Sequence, residues 1–265
     1  LVGRNLIPTH NSAAMLNISI QVAKRNDDVT ILYWAIDDNR KAIAYRLISM
    51  LSNVSIRKVR QLVRRSAGDE KRIKAAQAEL RELVAAGKLI FKDDKMGRSS
   101  QKADTWIKSV QDQTGNGILF CVDSLHNIGT DVSAGDERVG VKRVSTWLKS
   151  LCASTPCSVL ATLELVKNRK GEKPTLTSIM ESGKMEFDFD TLAIVYNEAQ
   201  GFYLPVEQIR QKWGGPGNWK PIIELDFQKN KGAAGEKGPI YFKYDTSTTA
   251  FAGCTRKLEI EDEQI

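Results

Sequence analysis

The fold of this chain is decided by an apolar stretch that ends in a carboxylate, Gly117-Ile118-Leu119-Phe120-Cys121-Val122-Asp123-Ser124-Leu125. Such a stretch is typical of a buried strand in a parallel sheet. Its acid then lies at the carboxyl edge, where open α/β folds bind ligands. A carboxylate in that place suits the magnesium ion of a bound nucleoside triphosphate. Core strands also end in Asp as a helix cap or turn former, so this stretch alone leaves both interpretations open.

Composition narrows the class of protein. With 42% hydrophobic and 27% charged residues, the 265-residue chain has the balance of an ordinary globular protein with a substantial core. Its net charge of +7 favours a polyanionic partner such as a nucleic acid. No apolar run reaches the roughly 18 residues of a membrane span, so we expect no membrane partner. Because the chain starts at Leu1 rather than Met, we expect a fragment or a processed product.

The cysteines indicate a reducing compartment. Cys121 lies inside the apolar strand, and the spacing of Cys152, Cys157 and Cys254 does not match a metal site. We therefore expect reduced thiols in the core of a cytoplasmic protein.

Strand and helix patterns alternate along the chain. Strands are predicted at 29–36, 89–91, 118–123, 158–163 and 191–196, and helices at 12–25, 39–51, 56–87, 99–113 and 139–153. This alternation predicts an α/β fold with a mainly parallel sheet flanked by helices. Segments 222–227 and 240–244, joined by a Gly-rich turn, predict a C-terminal antiparallel hairpin.

Three of the predicted parallel strands end in acids. Asp37 and Asp38 follow the first strand, Asp123 ends the central one, and Glu164 follows the strand at 158–163. Because the carboxyl ends of parallel strands share one edge, these side chains should lie close together. A triphosphate site needs such a cluster to hold the metal, polarise the attacking water and sense the γ-phosphate.

The order of these segments resembles the RecA-like P-loop NTPase motor domain of DnaB-type hexameric replicative helicases, from Ser12 to about Phe251. The strand that ends at Asp37 resembles the family strand that ends in a catalytic glutamate. The Asp123 strand resembles the Walker B strand. The segment 160–165 is similar to the family's Ala-Leu-Ser-Gln-Leu.

Two later segments are more specific. Lys173-Pro174 and Glu181-Ser182-Gly183, followed by Glu186, Asp188 and Asp190, are similar to the family in order and spacing. Gln228-Lys229-Asn230-Lys231-Gly232 resembles the family's Lys-x-Arg-Asn-Gly element, which reaches the ATP of a neighbouring subunit.

The resemblance implies ATP and Mg²⁺ as cofactors and a role for each matched residue. Ser12 and Asp123 would hold the metal, Asp37 would orient the water, and Glu164 would sense the γ-phosphate. Lys229 and Lys231 would act in trans within a homo-hexamer.

The resemblance also implies partners. Loops at 129–140 and 167–173 would bind single-stranded DNA, the second through Lys167, Arg169, Lys170 and Lys173. The alternative for this basic loop is a solvated surface turn. Primase and a helicase loader would be protein partners in the cytoplasm of a bacterial or phage-infected cell.

Several departures from the family pattern affect the chemistry. Asp37 replaces a glutamate, Glu164 replaces a neutral glutamine, and Lys231 replaces an arginine finger and keeps only its charge. Such changes suit a divergent member, for example one carried by a phage. They leave open a catalytically degenerate ring-forming DNA-binding module. A RecA-like recombination or signalling ATPase is the other alternative.

The largest departure concerns the P-loop, G-x-x-x-x-G-K-[ST], since Gly-Lys does not precede Ser12. A decayed P-loop is one explanation. The segment from Asn5 to Ser12 instead resembles the C-terminal splice junction of an intein, with His10 and Asn11 before Ser12. Asn11 would cyclise onto its own carbonyl, His10 would transfer a proton, and the Ser12 hydroxyl would accept the upstream acyl group.

The predicted domain organisation follows from this junction. Residues 1–11 would be an intein remnant, residues 12–253 the RecA-like motor domain, and residues 254–265 an acidic tail. The intein and the glycine-rich half of the P-loop would then be encoded upstream.

Overall fold

The computed structural model describes residues 10–36, 38–93, 95, 97–128, 137–163, 174–175, 188–197, 222–232 and 239–253. The chain divides into two compact units, Leu1–Glu164 and Leu165–Ile265. None of the helices in the described part of the chain combines the length and the apolar character of a membrane span.

The first unit contains a parallel sheet of four strands in the order β2-β1-β3-β4. This confirms the predicted parallel α/β core. The elements follow one another as α1 (His10–Arg25), β1 (Val29–Ala35), α2 (Arg40–Ser52), α3 (Ile56–Val59), α4 (Ala67–Ala85), β2 (Leu89–Lys92), α5 (Ser100–Thr114), β3 (Gly117–Asp123), α6 (Glu137–Ser154) and β4 (Cys157–Ala161).

Helices cover both faces of this sheet because successive strand residues point to opposite sides. On one face, Leu16 and Ile20 of α1 belong to the same buried cluster as Tyr33 of β1. On the other face, the Phe120 ring of β3 meets the rings of Trp106 on α5 and Trp147 on α6, at centroid distances of 6.2 and 6.4 Å. These helices shield the central strands from water. Because the strands are parallel, their carboxyl ends lie at one edge of the sheet.

The helix predicted over 56–87 is interrupted, and this part of the prediction was wrong. Gln61 has a positive φ of 60°, which an α-helix does not allow. Arg65 donates hydrogen bonds of 2.7 Å to the carbonyls of Lys58 and Val59, which satisfies the end of α3. Ser66 then begins α4 with a capping box, in which its hydroxyl accepts from the Asp69 N–H and Asp69 accepts from the Ser66 N–H.

The second unit is a four-stranded antiparallel sheet in the order β5-β6-β7-β8. Its strands are β5 (Thr191–Asn197), β6 (Ile222–Asn230), β7 (Ile240–Asp245) and β8 (Ala250–Gly253). The predicted hairpin is confirmed as β6 and β7. The strand predicted at 191–196 is present, but it pairs antiparallel with β6 rather than joining the parallel sheet. An apolar pattern specifies a strand but not its pairing partner.

Candidate nucleotide-binding site

At the carboxyl edge of the parallel sheet, backbone hydrogen bonds between neighbouring segments continue past the strand ends. Ala35 on β1 lies opposite Asp123 on β3, and Val122 lies opposite Ala161 on β4. Beyond these pairs, Ile36 N–H donates to the Asp123 carbonyl at 2.9 Å, and Thr162 N–H donates to the Val122 carbonyl at 3.0 Å. The segments that leave β1, β3 and β4 are therefore held side by side.

Asp123 lies at the centre of this edge, with 7% of its surface exposed. The Thr162 hydroxyl donates to its Oδ1 at 2.8 Å, and the Tyr33 hydroxyl donates to its Oδ2 at 2.9 Å. Each carboxylate oxygen therefore has one protein donor, and further lone pairs stay available for a metal-bound water. Two donors from neighbouring strands fix the direction of the carboxylate without neutralising it.

Tyr33 acts here as a neutral donor. Burial raises the pKa of the Tyr33 phenol well above its usual value of 10.0, and the negative charge of Asp123 raises it further. The Arg46 guanidinium opposes this shift only in part. The phenol therefore keeps its proton for the bond to Asp123 at neutral pH.

The first turn of α1 reaches the same edge. The Asn11 side-chain amide donates to the Leu163 carbonyl at 3.3 Å, and Leu163 follows the Thr162 that holds Asp123. Ser12, the next residue of the helix, is buried at 6% exposure. The positive end of a helix dipole and its N–H groups favour an anion such as a phosphate at this position.

Contacts further along α1 fix this helix on the sheet. The Ser19 hydroxyl lies 3.3 Å from the Cys121 sulfur on β3. Burial raises the pKa of the Cys121 thiol to about 12, and the charge of Asp123 adds to this shift, while the hydrogen bond with Ser19 opposes it. The predicted core location of Cys121 is confirmed. Cys152, predicted to lie in the core, is instead exposed on the last turn of α6.

The predicted acidic cluster is described only in part. Asp38 follows β1 and forms an ion pair with Arg46 at 2.5 Å. Asp37 and Glu164 lie outside the described residues, so their roles stay predictions.

Sequence reasoning missed three polar residues at this edge. Tyr33 and Thr162 hold Asp123, and Asp93 follows β2 with 4% exposure and lies 3.4 Å from the Arg40 guanidinium. Asp93 carried a signal in the sequence, because it lies two residues after a predicted strand, as Asp38 does. Tyr33 and Thr162 carried none that separates them from other strand residues.

Lys229 and Lys231 lie at the end of β6 in the second unit. Lys231 is half-exposed and forms an ion pair with the exposed Asp190 at 3.0 Å, while its N–H donates to the Asp190 carbonyl. An exposed ion pair of this kind is easily exchanged for another partner. A role in trans stays a prediction.

The predicted DNA-binding and splicing residues are described less fully. Lys167, Arg169, Lys170 and Lys173 lie outside the described residues. Of the predicted loop at 129–140, residues 137–140 form the start of α6 instead. His10 and Asn11 are the first residues of α1, so the helix begins two residues before the predicted start at Ser12.

The residues at this edge fit a magnesium nucleotide. Magnesium uses one or two carboxylates together with substrate phosphates rather than an all-protein cage. Within the described part of the chain, no three His, Cys, Asp or Glu side chains cluster to hold a metal alone. A single oriented carboxylate beside a helix N-terminus suits the metal and one phosphate of such a nucleotide.

A parallel core with this arrangement defines the class of nucleotide-binding α/β domains. Within that class, the protein-family model for the DnaB-like helicase C-terminal domain matches residues 9–253 of this chain. The chain therefore belongs to the DnaB-like helicase C-terminal domain family.

Curated relatives agree with this assignment. The replicative DNA helicase DnaB of Mycobacterium leprae is 23% identical over 199 residues, which cover 74% of this chain and 32% of that protein. A probable replicative DNA helicase of Trieres chinensis is 24% identical, covering 91% of this chain and 50% of that protein. The chain thus spans about a third of the length of the bacterial relative.

The structural likeness covers nearly the whole chain. A DnaB-like replicative helicase, solved in a study of its interactions with primase, matches with a TM-score of 0.78 at 15% identity, over 94% of this chain and 55% of that one. A second solved structure, that of an ATPase domain, matches with a TM-score of 0.74 at 16% identity, over 94% of this chain and 82% of that one. At these identities the likeness supports the fold.

Proposed function

We propose that this chain is the ATP-hydrolysing motor of a replicative DNA helicase, which unwinds duplex DNA at replication forks as a hexameric ring. The observation that carries the proposal is the placement of Asp123, held by Tyr33 and Thr162, beside the first turn of α1. Membership of the DnaB-like helicase C-terminal domain family supports it. ATP supplies the free energy for unwinding, and Mg²⁺ neutralises charge on its phosphates.

Each site residue has a separate task in this proposal. Ser12 would bind the magnesium directly, and Asp123 would hold it through a water molecule. Asp37 would orient the attacking water, and Glu164 would respond to the γ-phosphate. The N-terminal turn of α1 adds N–H groups and a positive dipole end, which favour a bound phosphate.

A second subunit would complete the site. Lys229 and Lys231 would reach the nucleotide of the neighbouring copy and offset the charge that develops on the phosphates. Lys167, Arg169, Lys170 and Lys173 would bind the phosphates of single-stranded DNA. The net charge of +7 is consistent with that partner. Primase and a helicase loader are the protein partners that we expect in the cytoplasm.

The nucleotide site also requires a P-loop lysine, which does not precede Ser12 in this chain. We propose that an intein interrupts the P-loop and that residues 1–11 are its last segment. Asn11 would cyclise and cut the bond to Ser12, assisted by His10, so that Ser12 joins the upstream glycine-rich half. The DNA upstream of Leu1 should then encode an intein preceded by G-x-x-x-x-G-K. An upstream reading frame without these features would refute the intein.

The motor proposal is tested by restoring the P-loop. The triple variant Asn5→Gly/His10→Gly/Asn11→Lys has the pattern G-x-x-x-x-G-K-S at positions 5–12. We expect it to gain ATP hydrolysis that single-stranded DNA stimulates, because the lysine can now neutralise the β- and γ-phosphates. Hydrolysis is measured as phosphate release with and without DNA.

Two matched variants make this test specific. Asn5→Gly/His10→Gly/Asn11→Met keeps the glycines and the length of the side chain but lacks the charge, and it should stay inactive. Adding Asp123→Asn to the triple variant should abolish the gained activity. Absence of any gain in the triple variant would contradict the motor proposal.

The kind of motor is decided by the DNA substrate. The active variant should unwind a forked duplex and should fail to exchange strands between homologous duplexes. Strand exchange without unwinding would assign it to the recombination class instead. Binding to DNA without turnover in the triple variant would indicate the degenerate ring-forming module.

A further inference from the structure

Two thiols meet where α6 leads into β4. Cys152 lies in the last turn of α6, and Cys157 is the first residue of β4. The connection is tight, since Thr155 N–H donates to the Leu151 carbonyl at 2.9 Å and Cys157 N–H donates to the Thr155 carbonyl at 2.6 Å. The two thiols therefore lie side by side at this turn, and the interaction with Cys152 is the largest cause of the raised pKa of the Cys157 thiol.

A small reagent can reach this pair. Cys152 is exposed and Cys157 is half-buried. Both line a cavity of about 460 Å³, whose other walls include Val22, Val29 and Ile118. The Cys121 thiol, in contrast, is fully buried under α1. A small reagent can therefore reach Cys152 and Cys157 but not the Cys121 thiol.

We propose that Cys152 and Cys157 form a redox modification site, at which a small disulfide oxidant converts two thiols into an intramolecular disulfide. The Cys152 thiolate attacks one sulfur of the oxidant R–S–S–R, forms a mixed disulfide and releases one R–S⁻. The Cys157 thiolate then attacks the Cys152 sulfur and displaces the second R–S⁻. The two protons lost by the cysteines yield two R–SH, so the pair loses two electrons and the oxidant gains them.

The surroundings assign the order of these steps. The hydrogen bond with Cys152 and burial raise the pKa of the Cys157 thiol, and the nearby Asp104 carboxylate raises it further. The Trp147 indole N–H holds Asp104 in place through a hydrogen bond of 2.8 Å. Since Cys152 is exposed and Cys157 is half-buried, Cys152 meets the oxidant first and Cys157 acts second, as the resolving thiol. Because the thiolate is the attacking species, closure should accelerate as the pH rises.

The site lies away from the nucleotide edge. Cys157 starts β4 and pairs with Ile118 near the start of β3, whereas Asp123 ends β3. A disulfide here closes a short loop, so it should stabilise the fold less than a disulfide that closes a long loop. Oxidation should accordingly leave the geometry around Asp123 unchanged.

The test uses the full chain with Cys254→Ser, so that the thiol outside the described residues cannot compete. The reduced protein is incubated with oxidised glutathione, its remaining thiols are blocked with N-ethylmaleimide, and its mass is measured. We expect the mass to fall by that of two hydrogens when the disulfide forms. Maleimide should label Cys121 only after the protein is unfolded. Fragmentation should place the link between Cys152 and Cys157.

Single variants separate the two roles. With Cys157→Ser, the mixed disulfide at Cys152 should accumulate, since the resolving thiol is missing. With Cys152→Ser, reaction with glutathione should slow by about tenfold or more, because only the half-buried thiol is left and the oxidant reaches it less easily. The Cys121→Ala protein keeps both Cys152 and Cys157, so its disulfide should form at the same rate as in the parent protein.

A comparison of folded and unfolded protein tests whether the fold brings the thiols together. The equilibrium between disulfide and glutathione should favour closure at least about tenfold more in the folded chain than in concentrated guanidinium chloride. Equal equilibria would overturn the proposal. A folded parent protein that accumulates the mixed disulfide without closing would overturn it as well.

Discussion

The phenol oxygen of Tyr33 on β1 lies 2.9 Å from a carboxylate oxygen of Asp123 on β3 and donates a hydrogen bond to it. In the sheet Tyr33 lies opposite Cys121, so its long side chain reaches two residues further along the neighbouring strand. This diagonal contact connects the interior of the sheet to its carboxyl edge. It gives the carboxylate a fixed direction before any ligand binds.

Tyr33→Phe should lower the free energy of unfolding by about 1–3 kcal/mol, because a buried charged acceptor loses its donor. Chemical denaturation at neutral pH measures the change. Tyr45→Phe is the matched control, since Tyr45 is only partly buried beside another cluster. A Tyr33→Phe protein as stable as the parent would show that water replaces the phenol.

Thr162→Val should weaken the magnesium site by removing the hydroxyl that donates to Asp123. Loss of an orienting partner typically costs about 10–100-fold in metal affinity. In the P-loop triple variant, the Mg²⁺ concentration for half-maximal ATP hydrolysis should rise by about that factor. Thr162→Ser keeps the donor and should behave like its parent. Equal Mg²⁺ dependence for the Val and Ser variants would contradict the role of the hydroxyl.

Lys231→Ala in the triple variant should lower ATP hydrolysis by at least about tenfold without unfolding the protein, since the cation that acts in trans is lost. Lys231→Arg should retain activity. The decisive measurement mixes the Lys231→Ala protein with an Asp123→Asn protein. In a mixed ring, the Lys231→Ala subunit keeps an intact nucleotide site, and the Asp123→Asn subunit keeps Lys231. Where these two subunits meet, the nucleotide site has all its groups, so the mixture should recover activity. A mixture as inactive as its components would place Lys231 outside the neighbouring site.

Asp69 should make the fold sensitive to acid. The Lys58 ammonium, with help from Ser66 and Arg72, holds the pKa of the Asp69 carboxyl below its usual value of 3.8. A lowered folded-state pKa means that the stabilisation is complete above the unfolded pKa and is lost as pH falls toward the folded one. The gap in unfolding midpoint between the parent and Asp69→Asn should hold down to about pH 5 and narrow below about pH 4. Asp112→Asn, on the exposed side of α5, should show no gap.

Cys121 should contribute to the alkaline limit of stability. Its folded-state pKa of about 12 exceeds the usual 9.0, so the neutral thiol is favoured in the fold. Stabilisation from this shift is present below the unfolded pKa and is lost as pH rises from 9.0 toward about 12. Between pH 9.0 and about pH 12, the free energy of unfolding should therefore fall less for Cys121→Ala than for the parent. Parallel stability curves for the two proteins would contradict the shift.

The sequence by itself determined the parallel core and the position of its central acid. Alternating apolar patterns specify strands and helices, and a run that ends at Asp123 places a carboxylate at the sheet edge whatever its neighbours do. The order of the motifs also indicated the helicase family, which the match over residues 9–253 confirmed.

Tertiary structure alone decided which residues meet. Tyr33 and Thr162 are far from Asp123 along the chain, and strand register brings their hydroxyls to its two oxygens. The antiparallel pairing of β5 with β6 likewise depends on how segments are placed in space. Local patterns encode which face of an element is buried. Hydrogen bonds between distant residues depend on packing that no single segment specifies.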